Sequence, residues 1–476
     1  MDACRIDGET RIMSSKPEST EPTAGLSYSE RLHRVIPGGA HTYSRGDDQY
    51  PSNAPQILER GKGAYVYTPD GQKLLDYGMG LRSVTLGYAD ERVNRAALRG
   101  MEMGLNLTRA STIELEAAER LVDLVDGADM VKFAKNGSNV TTAATKLARA
   151  YTGRRYVAVP RQHPFFSFDD WFIGATALKR GIPSQHAQTT LLFDYGDAAS
   201  LQALFDAHPG EIAAVMLEPA TTVGPCGRCA NADRLAPPRC RTCSGQPANF
   251  LQQVQAQCRQ HGAVFILDEM ITGFRWHLKG AQHLFGVQAD LTTFGKGMAN
   301  GFAVAALAGR RDIMECGAIN RPGQERTFLI STTHGGEMAS LAAFLEAVKI
   351  YEDEPVVDHL WAYGAKVLTG LEGIARELGI EQSFQVQGNA ISMNYVTLDA
   401  QGAPSLPLRT LFSQEMIRNG VLMPWIAQSY AHRDAELDLT LSAARKALSV
   451  YQQALEQGVG KFLVGPAIKP VFRQFN

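Results

Sequence analysis

The chain has 476 residues, of which 45% are hydrophobic and 20% charged, with a net charge of −2, a composition typical of a globular protein of about two to three domains. No basic excess indicates nucleic-acid binding, and no apolar stretch approaches the roughly 18 residues that span a bilayer. Residues 1–25 lack the apolar core of a signal peptide and read as a disordered N-terminal segment. We therefore expect a cytoplasmic protein without a membrane segment.

Two elements are predicted before residue 130. In residues 62–78, aromatic and β-branched residues flank a Pro-Asp-Gly turn at 69–71, a pattern typical of a β-hairpin. Residues 111–126 carry apolar residues at helical spacing, with Ser111 or Thr112 placed to cap the helix.

Between residues 130 and 310, short apolar runs alternate with helical stretches. The runs that predict strands are 156–159, 213–219, 263–270, 291–295 and 303–309. Helices are predicted at 141–153 and 249–262, and both stretches end in glycine. Continuous apolar strands separated by helices indicate an α/β fold, with a mostly parallel sheet covered by helices on both faces. Ligands bind such sheets at the carboxyl ends of the strands.

Helical stretches dominate the chain after residue 338 and lead into a smaller α+β region. We expect this small domain to combine residues 26–95 with residues 338–476. The large domain between them is expected at 96–337, with a Cys-rich insert at 224–246.

Asp268 and Lys296 are the first candidate functional residues. Asp268 ends a buried apolar run, and Lys296 lies in the glycine-rich stretch TTFGKGMANG just after the next run. If both runs are parallel strands of one sheet, the two side chains emerge at the same edge. This combination suits pyridoxal phosphate (PLP), because a lysine amine condenses with its aldehyde and a carboxylate keeps its pyridine nitrogen protonated. Taken singly, Asp268 is as well explained as a helix cap, and Lys296 as an ordinary turn lysine.

A phosphate site is predicted at residues 136–139, Asn-Gly-Ser-Asn, directly before a helix. Backbone N–H groups at a helix start, assisted by the Ser138 hydroxyl, form an anion site. Plain helix capping explains the same residues equally well.

Four cysteines form two C-x2-C pairs separated by ten residues: Cys226, Cys229, Cys240 and Cys243. This spacing is typical of a tetrahedral zinc site, and since all four positions are filled the metal would be structural. Iron–sulfur ligation is a weaker alternative, because four thiolates suit both. Four free thiols without a metal are the third possibility.

Several motifs together resemble the class-III, fold-type I PLP-dependent aminotransferases, and among these the glutamate-1-semialdehyde 2,1-aminomutase-like proteins. The stretches that carry the resemblance are LDEMITGFR (267–275), FAKNGSNVTTAATKLARAYTGR (133–154), FGKGMANGFAVAALAGRRDIM (294–314) and STTHGGEMASLAA (331–343). The resemblance extends from about residue 28 to 460, apart from the cysteine insert.

The resemblance implies roles for the residues that match these motifs. Lys296 would bind the cofactor aldehyde and shuttle a proton, Asp268 would pair with the pyridine nitrogen, and Met270 would press on one ring face. Gly137 and Ser138 would bind the cofactor phosphate.

Two further residues acquire roles from the resemblance alone. Thr332 would reach the phosphate of a neighbouring subunit, which implies a homodimer with shared active sites. Arg45 falls where the aminomutase has its substrate-carboxylate arginine, although a solvated loop charge is the plainer interpretation.

The sequence departs from the aminomutase pattern around the substrate. At the aromatic position over the other cofactor face, an ungapped alignment places Pro164 and a one-residue shift places Phe165, and we expect Phe165. Leu81 stands where the aminomutase has a tryptophan in the substrate pocket. The next residue, Arg82, either binds a second anionic group of the substrate or is an ordinary surface residue. Asn139 stands where the phosphate loop usually has Glu.

These features predict an aminotransferase that acts on a small-molecule amino donor and a carbonyl acceptor, in sugar, polysaccharide or secondary-metabolite biosynthesis. The alternative is an aminomutase, which moves nitrogen between adjacent carbons of one substrate with the same residues. A third hypothesis is a zinc-stabilised binding protein that has kept an enzyme fold but lost its catalytic activity. The presence of both Lys296 and Asp268 disfavours this hypothesis.

Overall fold

The computed structural model describes residues 25–226, 233–238 and 248–475. All but the last residue of the segment predicted to be disordered at 1–25 lie outside the described residues. Among the described helices, none combines the length and apolar character that crossing a membrane requires.

The N-terminal part contains a small β-meander and four helices. Their bounds are α1 (Tyr28–Val35), β1 (Arg60–Lys62), β2 (Tyr65–Tyr67), β3 (Lys73–Asp76), α2 (Met79–Arg82), α3 (Glu91–Glu102) and α4 (Thr112–Leu124). Strands β2 and β3 pair antiparallel around the 69–71 turn, which confirms the predicted hairpin. The Ser111 side chain accepts a hydrogen bond from the Glu114 N–H and caps α4, as predicted.

The central sheet has seven strands among the described residues. They are β4 (Met130–Ala134), β5 (Tyr156–Pro160), β6 (Thr190–Phe193), β7 (Ile212–Leu217), β8 (Val264–Asp268), β9 (Leu291–Phe294) and β10 (Ala305–Gly309). Their order across the sheet is β4-β10-β9-β8-β7-β5-β6. The neighbouring strands from β9 to β6 are parallel, whereas β10 is antiparallel to both β4 and β9. The mostly parallel sheet is therefore confirmed.

Helices and short turns connect these strands. Their bounds are α5 (Gly137–Thr152), α6 (Asp170–Ile173), α7 (Ser184–Ala187), α8 (Ala198–Ala207), α9 (Phe250–His261), α10 (Ala281–Phe285) and α11 (Arg311–Met314). Helices α5 and α9 end at Gly153 and Gly262, whose φ values of 69° and 65° are left-handed, so the predicted glycine ends are confirmed.

Apolar side chains cover both faces of the sheet. Alternate residues of β8 pack into different apolar clusters. Phe265 and Leu267 belong to one cluster, and Val264 and Ile266 belong to another. A strand buried on both sides needs apolar residues at every position, which explains the continuous apolar run in the sequence.

The C-terminal part packs on the N-terminal hairpin. Its elements are α12 (Met338–Asp353), α13 (Val356–Glu377), β11 (Phe384–Gln387), β12 (Asn394–Thr397), α14 (Leu406–Arg418), β13 (Val421–Leu422) and α15 (Asp434–Gln457). Strand β13 pairs parallel with β3, and Leu75 and Tyr77 share an apolar core with α13, α14 and α15. These contacts are those that the predicted small domain requires, while its boundaries at residues 95 and 338 stay a prediction.

Candidate active site

Three neighbouring strands of the central sheet carry titratable side chains at one edge. Glu218 directly follows β7, Asp268 is the last residue of β8, and Lys296 lies two residues after β9. The strands are parallel and in register, with Leu217 opposite Leu267 and Asp268 opposite Thr293. Asp268 and Lys296 thus emerge at the same edge, as their positions after successive apolar runs predicted.

Asp268 is buried at this edge. Its Oδ1 accepts hydrogen bonds from the Met270 N–H at 3.0 Å and from the Thr293 hydroxyl at 3.1 Å. Burial raises the pKa of the carboxyl to about 6, against the opposing effects of these two hydrogen bonds and of the Lys296 charge. Within the described residues Oδ2 makes no hydrogen bond, so this oxygen can accept one from a protonated ring nitrogen.

Lys296 begins a tight turn with left-handed backbone, at φ 43°. Burial lowers the pKa of its ammonium group, while the negative charges of Glu218 and Asp268 act in the opposite direction. A lowered pKa leaves more of the amine in the neutral form, which is the form that attacks an aldehyde.

The side chain of Met270 packs between two glycines. A Cβ on Gly295 would lie 2.6 Å from the Met270 sulfur, and a Cβ on Gly137 would lie 3.1 Å from the same atom. Glycine at both positions therefore makes room for Met270. The contact brings the turn before Lys296 against the N-terminus of α5.

The N-terminus of α5 retains free donors. The Asn136 side chain caps the helix by accepting from the Asn139 N–H at 3.0 Å. The backbone N–H groups of Gly137 and Ser138 have no acceptor among the described residues, as expected for the first turn of a helix. Capping and anion binding are thus compatible at this helix end, since they use different N–H groups.

The segment predicted to cover the cofactor is anchored to the start of α5. The Ser138 hydroxyl oxygen accepts from the Phe168 N–H at 3.0 Å, and the Thr141 hydroxyl donates to the Phe166 carbonyl at 2.8 Å. Phe165 is 46% exposed and its ring meets that of Phe172 edge-on, with centroids 6.0 Å apart. The segment that carries Phe165 is therefore attached to the start of α5, and the stacking role of Phe165 stays a prediction.

His163 and Glu218 are two residues of this region that the sequence interpretation missed. Buried His163 uses Nδ1 to accept from the backbone N–H of Glu218 at 3.1 Å. Burial raises the pKa of the Glu218 carboxyl to about 8, and the Asp268 charge adds to this effect, while Lys296 and Arg82 oppose it. The signal was present in the sequence, because Glu218 follows an apolar run just as Asp268 ends one.

Arg82 is held in this charge cluster by an unusual backbone. All four residues of α2 have positive φ, from 40° at Met79 to 68° at Arg82, a strain that clusters at functional sites. The buried Arg275 guanidinium donates to the Arg82 carbonyl at 3.4 Å. Burial lowers the pKa of the Arg82 guanidinium, and the negative charge of Glu218 opposes this shift.

Arg45 and Thr332 are exposed, and the Arg45 charge is not among those that act on Glu218, Asp268 or Lys296. Arg45 lies at the end of a short turn, and its charge acts on half-buried Tyr50. Thr332 is exposed, in a loop beside the end of β4. Roles for both in binding substrate and the neighbouring subunit's phosphate stay predictions.

Of the four predicted metal ligands, only Cys226 belongs to the described residues; Cys229, Cys240 and Cys243 lie outside them. The Cys226 thiol is disulfide-bonded in this structure. Across residues 25–226, 233–238 and 248–475, no group of three or more His, Cys, Asp or Glu side chains is arranged to hold a metal ion.

Comparisons with known proteins agree with this geometry. The family model for aminotransferase class-III matches residues 48–429. The chain is 31% identical to a glutamate-1-semialdehyde 2,1-aminomutase of Thermus thermophilus, over 89% of this chain and 98% of that protein. It is 28% identical to the 3-aminobutyryl-CoA aminotransferase of Cloacimonas acidaminovorans, over 92% and 100% of the two chains.

The fold agrees with that of solved structures. The FumI protein of Sphingopyxis sp. MTA144, solved in its PLP internal aldimine form, superposes with a TM-score of 0.77 at 26% identity, over 90% of this chain and 97% of that chain. The central sheet is therefore that of a fold-type I PLP-dependent enzyme.

Proposed function

The chain belongs to the class-III aminotransferase family, and we propose that it uses PLP to move an amino group from an amino donor to a carbonyl substrate. The observation that carries the proposal is the placement of Asp268 and Lys296 at the ends of neighbouring parallel strands, next to a helix start with free N–H groups. Packing alone requires neither the buried carboxylate nor the amine beside it.

Bound PLP supplies an electron-accepting ring that stabilises negative charge on the substrate carbon. The unpaired Oδ2 of Asp268 would hold the proton on the ring nitrogen. Met270 would lie against one ring face and Phe165 against the other. The N–H groups of Gly137 and Ser138, at the positive end of α5, would bind the phosphate.

Lys296 would act as the proton carrier of the reaction. Its Nζ would first act as a base and remove a proton from the substrate carbon that bears the amino group. It would then act as an acid and donate a proton later in the transfer. The Glu218 carboxyl, whose backbone is held by His163, lies in the same charge cluster and would set the protonation of this amine. Arg82 and Arg45 would bind substrate carboxylates.

The residues around the substrate support a substrate other than that of the tetrapyrrole pathway. Leu81 stands where the aminomutase has a pocket tryptophan, and half-buried Arg82 adds a positive charge next to it in the chain. We place the reaction in the biosynthesis of a sugar, polysaccharide or secondary metabolite, because such pathways use specialised carbonyl acceptors.

An aminomutase is the second candidate, and the family relatives of that name favour it. The same residues would act, but a lid would have to retain the substrate between the two amino transfers. Residues 169–188, which include α6 and α7, would form this lid.

A homodimer with shared active sites is part of the proposal. A run of exposed apolar side chains supports a partner surface on α3 and the turn after it: Leu98, Met101, Met103, Leu105 and Leu107. Thr332 would reach the cofactor phosphate of the second subunit. Light scattering that gives the mass of a single chain at micromolar concentration would contradict the dimer.

We also keep structural zinc as a proposal for the four cysteines, on the strength of their spacing. The disulfide at Cys226 competes with it, since a zinc ligand must be a thiolate. Metal analysis together with thiol titration of protein purified without chelator separates the two. One zinc and four protected thiols per chain are expected, and substoichiometric metal would contradict the zinc site.

The test of the amino-transfer proposal is the addition of L-glutamate alone to PLP-loaded protein. Conversion of the cofactor's visible spectrum to that of the amine form, with release of 2-oxoglutarate, is the expected result. If glutamate and a panel of other amino donors leave the spectrum unchanged, the intramolecular reaction becomes the better explanation.

A further inference from the structure

The Cys-rich insert contacts the C-terminal part of the chain through Arg234. The guanidinium donates to the carbonyl oxygens of Val386 at 2.6 Å and Gly388 at 2.9 Å, and it pairs with Glu372 at 3.1 Å. The Arg234 carbonyl accepts from the Ala390 N–H at 2.7 Å. Arg234 therefore binds both sides of the turn that leads from β11 to β12.

The carbonyl contacts contribute more to this attachment than the ion pair. The Glu372 side chain is 33% exposed, and exposed ion pairs contribute little to stability. The guanidinium, in contrast, offers several donors in one rigid plane, which suits two carbonyls of the same strand end. Lysine at this position would keep the charge and lose that geometry.

The β11–β12 turn also lies against the loop at 219–226. A Cβ on Gly388 would lie 3.3 Å from the Thr222 Cα, and a Cβ on Gly224 would lie 3.5 Å from the Asn389 side-chain nitrogen. The turn is thus held between Arg234 on one side and this loop on the other.

The loop at 219–226 starts at the candidate active site. It follows Glu218 directly, and Glu218 itself is tied to His163 through its backbone N–H. The next carbonyl, of Pro219, accepts from the Tyr195 hydroxyl at 2.7 Å. A displacement of the loop would therefore act on the residues next to the Glu218 carboxyl.

A cavity of about 800 Å³ lies between the loop, the insert and the C-terminal part, lined among others by Pro225, Phe285, Arg376 and Phe384. Within residues 219–226, 233–238 and 248–475, this open space separates the segments, so the Arg234 hydrogen bonds that cross beside it contribute to holding them together.

We propose that Arg234 is a positioning residue, and that residues 233–238, through Arg234, form a brace that holds the β11–β12 turn against the loop following Glu218. The brace links the C-terminal part of the chain to the floor of the candidate active site. It concerns how the site is held in place and goes beyond the proposed amino transfer.

Hydrogen–deuterium exchange of the full-length, PLP-loaded protein tests the brace without a substrate. Arg234→Ala is expected to raise exchange by about five- to tenfold, both in the turn at 386–392 and in the loop at 220–224, because both become locally free to open. Arg234→Lys should fall between wild type and Arg234→Ala. Faster exchange confined to 386–392, with a wild-type loop, would overturn the proposal.

Arg376→Ala is the matched control. Arg376 lines the same cavity from α13 and makes no side-chain hydrogen bond among the described residues, so its exchange pattern should match wild type. Thermal unfolding of all variants checks that they fold, and Glu372→Gln, which removes only the ion pair, should have little effect. Equal loss of protection in Arg376→Ala and Arg234→Ala would also overturn the proposal.

A kinetic readout then relates the brace to the site, and this part alone rests on the proposed function. Arg234→Ala should raise the half-saturating L-glutamate concentration by about threefold or more, since the loop leads to Glu218 and the substrate side of the site. The rate at saturating glutamate should stay within about twofold, because Asp268 ends β8 and Lys296 follows β9, and Arg234 contacts neither strand. A change in the saturating rate alone would contradict this arrangement.

Discussion

The sulfur of Met270 lies 2.6 Å from the point that a Cβ on Gly295 would occupy. The residue before Lys296 therefore has no room for a side chain while Met270 keeps its place. This contact explains the glycine that precedes the lysine better than backbone freedom does, because Gly295 has extended backbone, with φ at 178°.

Gly295→Ala should destabilise the protein by about 1–3 kcal/mol through overpacking and should weaken PLP uptake by displacing Met270 or Lys296. Denaturant unfolding and PLP titration measure the two effects. Gly373→Ala, in α13, is a control at a site where no described atom lies within 4 Å of the added Cβ. The double variant Gly295→Ala/Met270→Ala should recover stability relative to the single variant, and no recovery would contradict the assigned clash.

Lys296→Ala should abolish multiple turnovers, because no other amine takes part in the charge cluster of Glu218, Asp268 and Arg82 as the described residues show it. Circular dichroism should show an intact fold. Retained turnover at a tenth of the wild-type rate would contradict the role of Lys296, since loss of a general acid–base group costs about 10²–10⁴-fold.

Asp268→Asn should separate activity from stability. The amide keeps the shape of the carboxyl but no longer holds the proton of the ring nitrogen, so the rate should fall by about 10²-fold or more. Stability at pH 8 should not fall in parallel, because burial of the ionised carboxylate is unfavourable there. A variant that loses activity only in proportion to its folded fraction would contradict the role of Asp268.

Glu218→Gln should change the pH dependence of stability before PLP is added. The folded-state pKa of Glu218 is raised to about 8, so the folded chain binds a proton that the unfolded chain has released, and stability falls as pH rises from about 4.5 to 8. The variant lacks this proton, so its stability should fall less over that range. Lys296, freed of a negative charge, would lose its proton more readily and shift the slope in the same direction.

Denaturant unfolding between pH 6.5 and about 8.5 measures the effect of Glu218 on stability without a contribution from His163. Buried His163, whose pKa is lowered to about 3, contributes in the opposite direction only where the unfolded imidazole binds protons, below about pH 6.5. Glu381→Gln, at an exposed position, is the control. Parallel slopes for wild type and Glu218→Gln would refute the raised pKa.

Arg82 and Arg45 should differ in their effect on anionic donors. Arg82 shares the charge cluster with Glu218, whereas Arg45 is exposed outside it. Loss of a charge-assisted hydrogen bond costs about 1.5–3 kcal/mol, so Arg82→Gln should raise the half-saturating L-glutamate concentration by about tenfold or more. Arg45→Gln should have a smaller effect. The reverse order would indicate that Arg45 binds the substrate carboxylate, as the resemblance to the aminomutase implies, and that Arg82 does not.

The parallel strands β5, β7, β8 and β9 could be predicted because a strand covered on both faces needs apolar residues at every position. The parallel edge strand β6 was missed, since it is short and only its two end residues are buried. Strand β4 escaped prediction because its central Lys132 is exposed and interrupts the apolar run. The antiparallel direction of β10 was also missed, although the connection from Phe294 to Ala305 is shorter than the dozen or more residues that a parallel crossover needs.

Asp268 and Lys296 could be predicted because each is a chemically suitable residue at, or just after, the end of a predicted strand. The position of Arg82 could not be predicted, because it depends on left-handed backbone at Met79, Leu81 and Arg82. Residues other than glycine rarely adopt this conformation. Glu218 was overlooked, although the rule that identified Asp268 applies to it equally.

The pairing of β4 with β10 also bears on how the protein is made. Ala134 pairs with Ala305, so β4 and the helix α5 after it leave the ribosome long before the partner strand of β4 exists. At about 5–20 residues per second, the interval is roughly 10–30 s. During this time β4 presents an unpaired edge. A nascent chain paused before residue 305 should therefore bind chaperones, and one long enough for β10 to leave the ribosome should be released.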